Sequence, residues 1–189
     1  LKVVRIPERS LLGHLNWATW HFQDIAFKRL DGGNAFGNVG AQYVGSGDDA
    51  ALNASVARYR ADPAAVARFA LDTDPTGRVK PPVLSTHAID DPVAFVELDS
   101  AFLETMQRAG TADHLVQTFT AEHEHSYLSD TEYPALMEAL LAWVQKGEKP
   151  TPQQVAERCT ALRPRFGGEC HFVPGYRPAP LSARVTTPR

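Results

Sequence analysis

At 189 residues, with 43% hydrophobic and 22% charged side chains, the chain has the size and composition of an ordinary globular domain or of a core with a helical appendage. Its 22 acidic and 19 basic residues leave a formal charge of -3 and are interspersed, so no block of like charge exists to track a phosphate backbone or an anionic membrane. Nucleic acid is thereby excluded as a partner class, and no run approaches the roughly 20 apolar residues that would cross a bilayer.

In chain order, Leu1 to Arg9 alternate apolar and basic residues and lack the apolar centre of a signal peptide. Leucine rather than methionine stands first, which fits a processed or excised chain. Ser10, followed by Leu11, Leu12, Leu15 and Trp20 and closed by Lys28, Arg29 and Gly32-Gly33, predicts a capped helix. Its aromatics Trp17, Trp20 and Phe22 are expected to be buried packing rather than a substrate lid. Asp31 to Asp49, rich in Gly and Asn, predicts a long ordered loop, with Gly45-Ser46-Gly47 as a turn. A second helix is expected after Asp48 to about Tyr59, and a third from Asp62 with Pro63 in its first turn.

After Pro75-Thr76-Gly77 the character changes. Val79 to Thr86 predicts a buried strand, and Pro92 to Ala109, with Phe95, Leu98, Phe102 and Met106 on one face, predicts a helix. His114 to Thr120 predicts a second strand. Leu136, Ala139, Leu140, Trp143 and Val144 then recur at helical spacing, ending near Lys146-Gly147, and Pro134 falls in the first turn if Thr131 is the cap. Strand, helix, strand, helix is the order of a parallel sheet, but two strands cannot make one alone, so further strands are expected from elsewhere. A last short helix begins at Pro150-Thr151-Pro152, and from Phe172 a proline-rich tail should lie extended over the surface.

Cys159 and Cys170 flank a segment with Pro164, Gly167 and Gly168 that can turn back on itself, which suits a local disulfide and hence an oxidising compartment; two unrelated thiols are the alternative. With no C-x-x-C pair, two thiols do not make a zinc site.

The residues able to carry chemistry lie in the loops after the two strands, where functional groups gather in open sheets. The first reads His87-Ala88-Ile89-Asp90-Asp91-Pro92 and the second Glu122-His123-Glu124-His125-Ser126-Tyr127. A carboxylate on one loop and an imidazole on the other can form the acid-histidine pair that serves a hydroxyl nucleophile. Asp91 could equally cap a helix starting at Pro92, with Asp90 as the alternative acid. His125 and His123 compete as the base. The E-H-E-H run also permits zinc held by His123, His125 and a carboxylate, although no defined third and fourth ligand is visible. His87 is expected to be structural, bridging the strand end to its turn.

The stretch VLSTHAIDDPV, followed by helix, strand, EHSYLS and a helix ending AWVQKGEKP, resembles the closing section of α/β hydrolases over about Pro81 to Lys149. In that family an H-G-x-x-D-like turn presents the triad acid and a G-H-x-x-F-like loop presents the histidine. The resemblance implies Asp91 as the acid and His125 as the catalytic histidine, with Ala88 and Glu124 standing where glycine is usual. The segment FGNVGAQYVGSGDDAALN is similar to the cap or insert of some secreted bacterial hydrolases, which implies a secreted or periplasmic enzyme.

So read, the chain is α/β in class. Residues 1–78 form a mainly helical cap or insert, residues 79–149 the C-terminal part of a hydrolase parallel sheet, and residues 150–189 a helix and tail with a Cys159–Cys170 disulfide. No serine has the G-x-S-x-G setting between strand and helix, so the resemblance implies a nucleophile on an N-terminal half present as a separate or cleaved chain. It implies ester or amide hydrolysis without a cofactor; the alternative is a non-catalytic binding or assembly subunit.

Overall fold

A computed structural model describes residues 7–184. The alternation over Leu1 to Arg9 thus falls largely outside the described residues. The chain forms two compact units, one running to Pro75 and one spanning Thr76–Leu181. Their boundary sits at the Pro75-Thr76-Gly77 step, and the residues from 150 to 181 belong with the strands.

In the first unit, α1 (Leu11–Gln23) continues into a π-helical turn, Asp24–Arg29. Lys28 and Arg29 reach back to the Asp24 carboxylate at 2.9 and 3.2 Å. Two helices follow, α2 (Asp49–Ser55) and α3 (Pro63–Thr73). Each opens on an aspartate that accepts a first-turn N–H: Asp48 from Ala51, and Asp62 from Ala64 with Pro63 in the first turn. Helix α2 stops short of Tyr59 because the following chain is drawn across the long loop. Arg58 donates to the carbonyls of Asn38, Ala41 and Asn53, and the Tyr59 N–H donates to Asn38 Oδ1. Asparagine side chains here replace a backbone ladder, as where Asn53 bonds both the N–H and the carbonyl of Tyr43.

The aromatic load of α1 is not buried as expected. Trp17 and Trp20 are 59% and 69% exposed and no residue of the helix is buried. Trp17 stacks on His21 of its own helix at 3.8 Å, and Phe22 meets Phe36 edge-on at 4.8 Å.

In the second unit, β1 (Val83–Ala88) and β2 (Leu115–Thr120) pair in parallel from Val83 opposite Leu115 to Ala88 opposite Thr120. The crossover between them is α4 (Leu98–Arg108), and α5 (Glu132–Lys146) and α6 (Pro152–Phe166) follow. The expectation of an α/β-hydrolase parallel sheet is overturned: the described residues are mainly helical and hold one sheet of two strands. Outside VLSTHA and LVQTFT, the regular segments are helical, so the described chain has nothing further to add to the ladder.

The start of α4 also differs from the sequence reading. Residues 92–97 form turns rather than helix, because Asp91 Oδ1 accepts the N–H groups of Val93 and Ala94 at 2.7 and 2.9 Å and curls the chain there. Helix α5 ends as expected at Gly147, whose φ of 74° provides a left-handed stop. Helix α6 starts in a capping box between Thr151 and Gln154. The core of this unit gathers Val96, Met106, Phe119, Ala139, Trp143 and Val155.

The tail does more than lie over the surface. Ala121 N–H donates to the His171 carbonyl and Val173 N–H to the Phe119 carbonyl, each at 2.8 Å, so residues 171–173 run antiparallel beside the end of β2 and cover that edge. The Cys159–Cys170 disulfide fixes this return to α6. Cys159 is fully buried, and the turn between the cysteines uses Gly167 and Gly168 at positive φ. Replacing both cysteines with serine is expected to lower stability by about 3 kcal/mol through the freed loop, read as a fall in the urea midpoint; an unshifted midpoint would show that the tail holds itself.

Candidate functional site

Parallel pairing sets the carboxyl ends of β1 and β2 side by side, so the loops that follow them leave from the same end of the sheet. Ile89 N–H extends the ladder by one step to the Thr120 carbonyl at 2.9 Å, and the two loops diverge beyond it.

The first loop presents Asp91. With Oδ1 occupied by the Val93 and Ala94 N–H groups, its Oδ2 faces the second loop and accepts from His125 Nδ1 at 2.8 Å. A carboxylate only accepts, so Nδ1 carries a proton, the tautomer in which Nε2 is the lone pair whenever the ring is uncharged. The Asp91 side chain is 4% exposed and that of His125 is 46% exposed. Burial pushes the Asp91 carboxyl up, but the hydrogen bonds from His125, Ala94 and Val93 outweigh it and hold the group below its ordinary 3.8. Directly after His125 the chain turns through Ser126 at φ 58°, a left-handed conformation for a residue with a side chain.

The alternative pair also meets. His123 Nδ1 lies 3.1 Å from Asp90 Oδ2, but both side chains are about two-thirds exposed, at 68% and 66%. Water competes for every hydrogen bond there, whereas the Asp91 carboxylate is shielded. Zinc held by His123 and His125 finds no support: among the described residues, no three-ligand group includes either. Ser46 Oγ donates to Asp49 Oδ1 at 2.6 Å within an acid-held turn, as its loop setting implied.

A depressed Asp91 carboxyl stabilises the fold above pH 3.8, and that contribution is lost as pH falls through the lowered value. Asp91→Asn should therefore flatten the acid side of the stability profile below about pH 4. Circular dichroism during acid titration reads this; an unchanged profile would mean that Asp91 gains nothing on folding.

Behind this pair stands a second one. His87 Nδ1 lies 2.5 Å from Asp99 Oδ2, and its Nε2 lies 3.2 Å from the Ala94 carbonyl and 3.5 Å from Asp91 Oδ2. Asp99 is further held by Gln117 of β2, whose Nε2 donates to its carbonyl and to Oδ1 at 2.9 and 3.2 Å. His87 does bridge the strand end to its turn, and it does so as one member of a chain of four side chains.

The His125 loop is anchored at its far end by Glu132, which is fully buried. Its Oε2 accepts the Ser129 N–H at 2.8 Å and its Oε1 the His171 N–H at 2.7 Å, joining the loop to the returning tail. His171 Nδ1 lies 2.6 Å from Glu122 Oε1. Glu122, Glu132 and His171 are close enough to share a cation. The existing ties account for this group as a clamp, with both Glu132 oxygens already engaged by backbone donors.

The His125 ring, Asp91, His87, Thr86, Tyr127 and Leu128 line a cavity of about 330 Å³. A larger one, about 600 Å³, lies between α5 and α6, where Glu138 and Arg158 pair at 3.2 Å and no imidazole is present. The smaller cavity therefore holds the chemically competent groups. Comparison with protein-family models, with curated proteins and with solved structures finds no match to this chain.

Sequence reasoning missed Asp99, Glu132 and His171. The Ser129-x-x-Glu132 spacing is that of a capping box and was readable. Asp99 and His171 carry no local signal, since their roles depend on where α4 begins and where the tail returns.

Proposed function

We propose that this chain supplies the acid and the histidine of a Ser-His-Asp triad that hydrolyses ester or amide bonds, the serine being carried by a segment outside these residues, on a companion or cleaved polypeptide. The observation that carries the proposal is the 2.8 Å contact from His125 Nδ1 to a buried Asp91 carboxylate, with both residues lining one cavity. The likeness of the two loops to the acid turn and histidine loop of α/β hydrolases supports the same assignment of roles, although the sheet does not follow that family's.

In this reading His125 Nε2 takes the proton from the serine hydroxyl as it attacks the carbonyl and returns it to the leaving group. Asp91 holds the Nδ1–H tautomer and stabilises the imidazolium that forms. No cofactor is called for. The substrate is a small-molecule or polymeric ester or amide. One edge of β1 pairs with no strand among the described residues, which leaves its backbone polar groups for an incoming strand to satisfy. A secreted or periplasmic location is supported by the disulfide; among the described residues no helix is long and apolar enough to cross a membrane.

The test is a fluorophosphonate probe applied to the native assembly, followed by intact mass and N-terminal sequencing of each polypeptide. Labelling of a serine on a companion polypeptide is expected. Silence across an intact assembly would sink the proposal and leave the non-catalytic binding subunit in its place.

A further inference from the structure

We infer that His87 is a positioning residue that is cationic at neutral pH: clamped by Asp99, it holds a positive charge beside the same Asp91 oxygen that accepts from His125 and so favours the neutral, proton-accepting form of His125. The inference rests on the triad reading above for its purpose; its charge assignment stands on the hydrogen-bond geometry around an Asp99 carboxylate.

Both ring nitrogens of His87 face groups that accept. Nδ1 meets the Asp99 carboxylate at 2.5 Å, and Nε2 meets the Ala94 carbonyl at 3.2 Å. Against an Asp99 carboxylate, a neutral imidazole has one N–H and would leave one of these contacts as two facing lone pairs. Only the imidazolium donates in both directions. The side chain of His87 is 17% exposed and that of Asp99 12%, so water does little to replace either bond. The Asp99 hydrogen bond raises the His87 pKa above its ordinary 6.5 against the opposing effect of burial, in agreement with the geometry.

The charged groups facing this ring are Asp99 from α4 and Asp91 from the turn; β2 contributes the neutral Gln117 amide, which donates to Asp99 and leaves His87 the remaining oxygen. The cation lies 3.5 Å from Asp91 Oδ2, the oxygen that accepts from His125. A positive charge there favours the ionised carboxylate and disfavours a second proton on His125, so more of the base form is present near neutral pH. Asp99, His87, Asp91 and His125 thus alternate in sign when His125 takes its proton.

The experiment is long-range proton-nitrogen NMR of the seven histidine rings in the full chain as pH is varied. In the wild type, His87 should show the imidazolium pattern at about pH 7.5, where an ordinary histidine is neutral. In Asp99→Asn it should become neutral at that pH, and the His125 midpoint should rise by about 0.5 to 1 pH unit. His87→Gln should raise the His125 midpoint in the same direction; a merely structural role for His87 would not move that midpoint with this sign in both variants. A neutral His87 in the wild type overturns the inference outright, whether or not either variant folds, and so does a His125 midpoint that stays or falls in folded variants. Fluorophosphonate labelling is decided separately, so failure here leaves the triad proposal standing, and the reverse.

Discussion

Alanine at position 125 is expected to lower turnover of the complete assembly by about 10⁴-fold, the scale on which a triad fails when its base is lost. The loss should appear in kcat, with little change in KM, because in the proposed triad His125 exchanges protons with the reacting atoms and does not anchor the substrate. The ring is 46% exposed and its one protein partner in the site is Asp91, so its removal opens no core cavity and the fold should persist. His123→Ala is the companion measurement: its ring sits with Asp90 in a solvated pair and should leave turnover at the wild-type level. Retained activity in His125→Ala, or an equal loss in His123→Ala, would mean that the wrong imidazole has been chosen.

Glu132→Ala should produce the largest loss of stability. Glu132 has no exposed surface, and its two oxygens satisfy the Ser129 and His171 N–H groups at 2.8 and 2.7 Å. Alanine would take the acceptor from one buried and one part-buried donor, at a cost of about 4 kcal/mol for two charge-assisted hydrogen bonds. Glu132→Gln retains one acceptor and should lose about half as much, roughly 2 kcal/mol. Urea denaturation at unchanged m-value reads both. A loss below about 1 kcal/mol in the alanine variant would show that the clamp between the His125 loop and the tail is dispensable.

The parts of this molecule readable in the sequence are those governed by neighbours in the chain. Asp62-Pro63 opens α3 and Gly147 closes α5 because caps and left-handed stops act within one helical turn. The meeting of the two loops was legible too, since parallel strands bring their carboxyl ends together, and each loop bore one of the residue types needed.

What escaped depends on contacts distant in sequence or on local bonds that compete with periodicity. Asp91-Pro92 reads as a helix start, but the same carboxylate bonds Val93 and Ala94 and defers α4 to Leu98. The periodic aromatics of α1 imply a covered face, yet spacing alone cannot name what would cover them, and Trp17 and Trp20 stand exposed. The hydrolase sheet was inferred from motif order. Within these residues the ladder ends at two strands, because the regular segments that precede and follow are helical.

The most direct test is a crystal structure of the native assembly after reaction with a fluorophosphonate. The phosphonylated serine oxygen should lie within hydrogen-bond reach, about 2.6–3.2 Å, of His125 Nε2, with Nδ1 still bonded to Asp91. A labelled serine seated away from that ring, or one served by a different imidazole, would contradict the account.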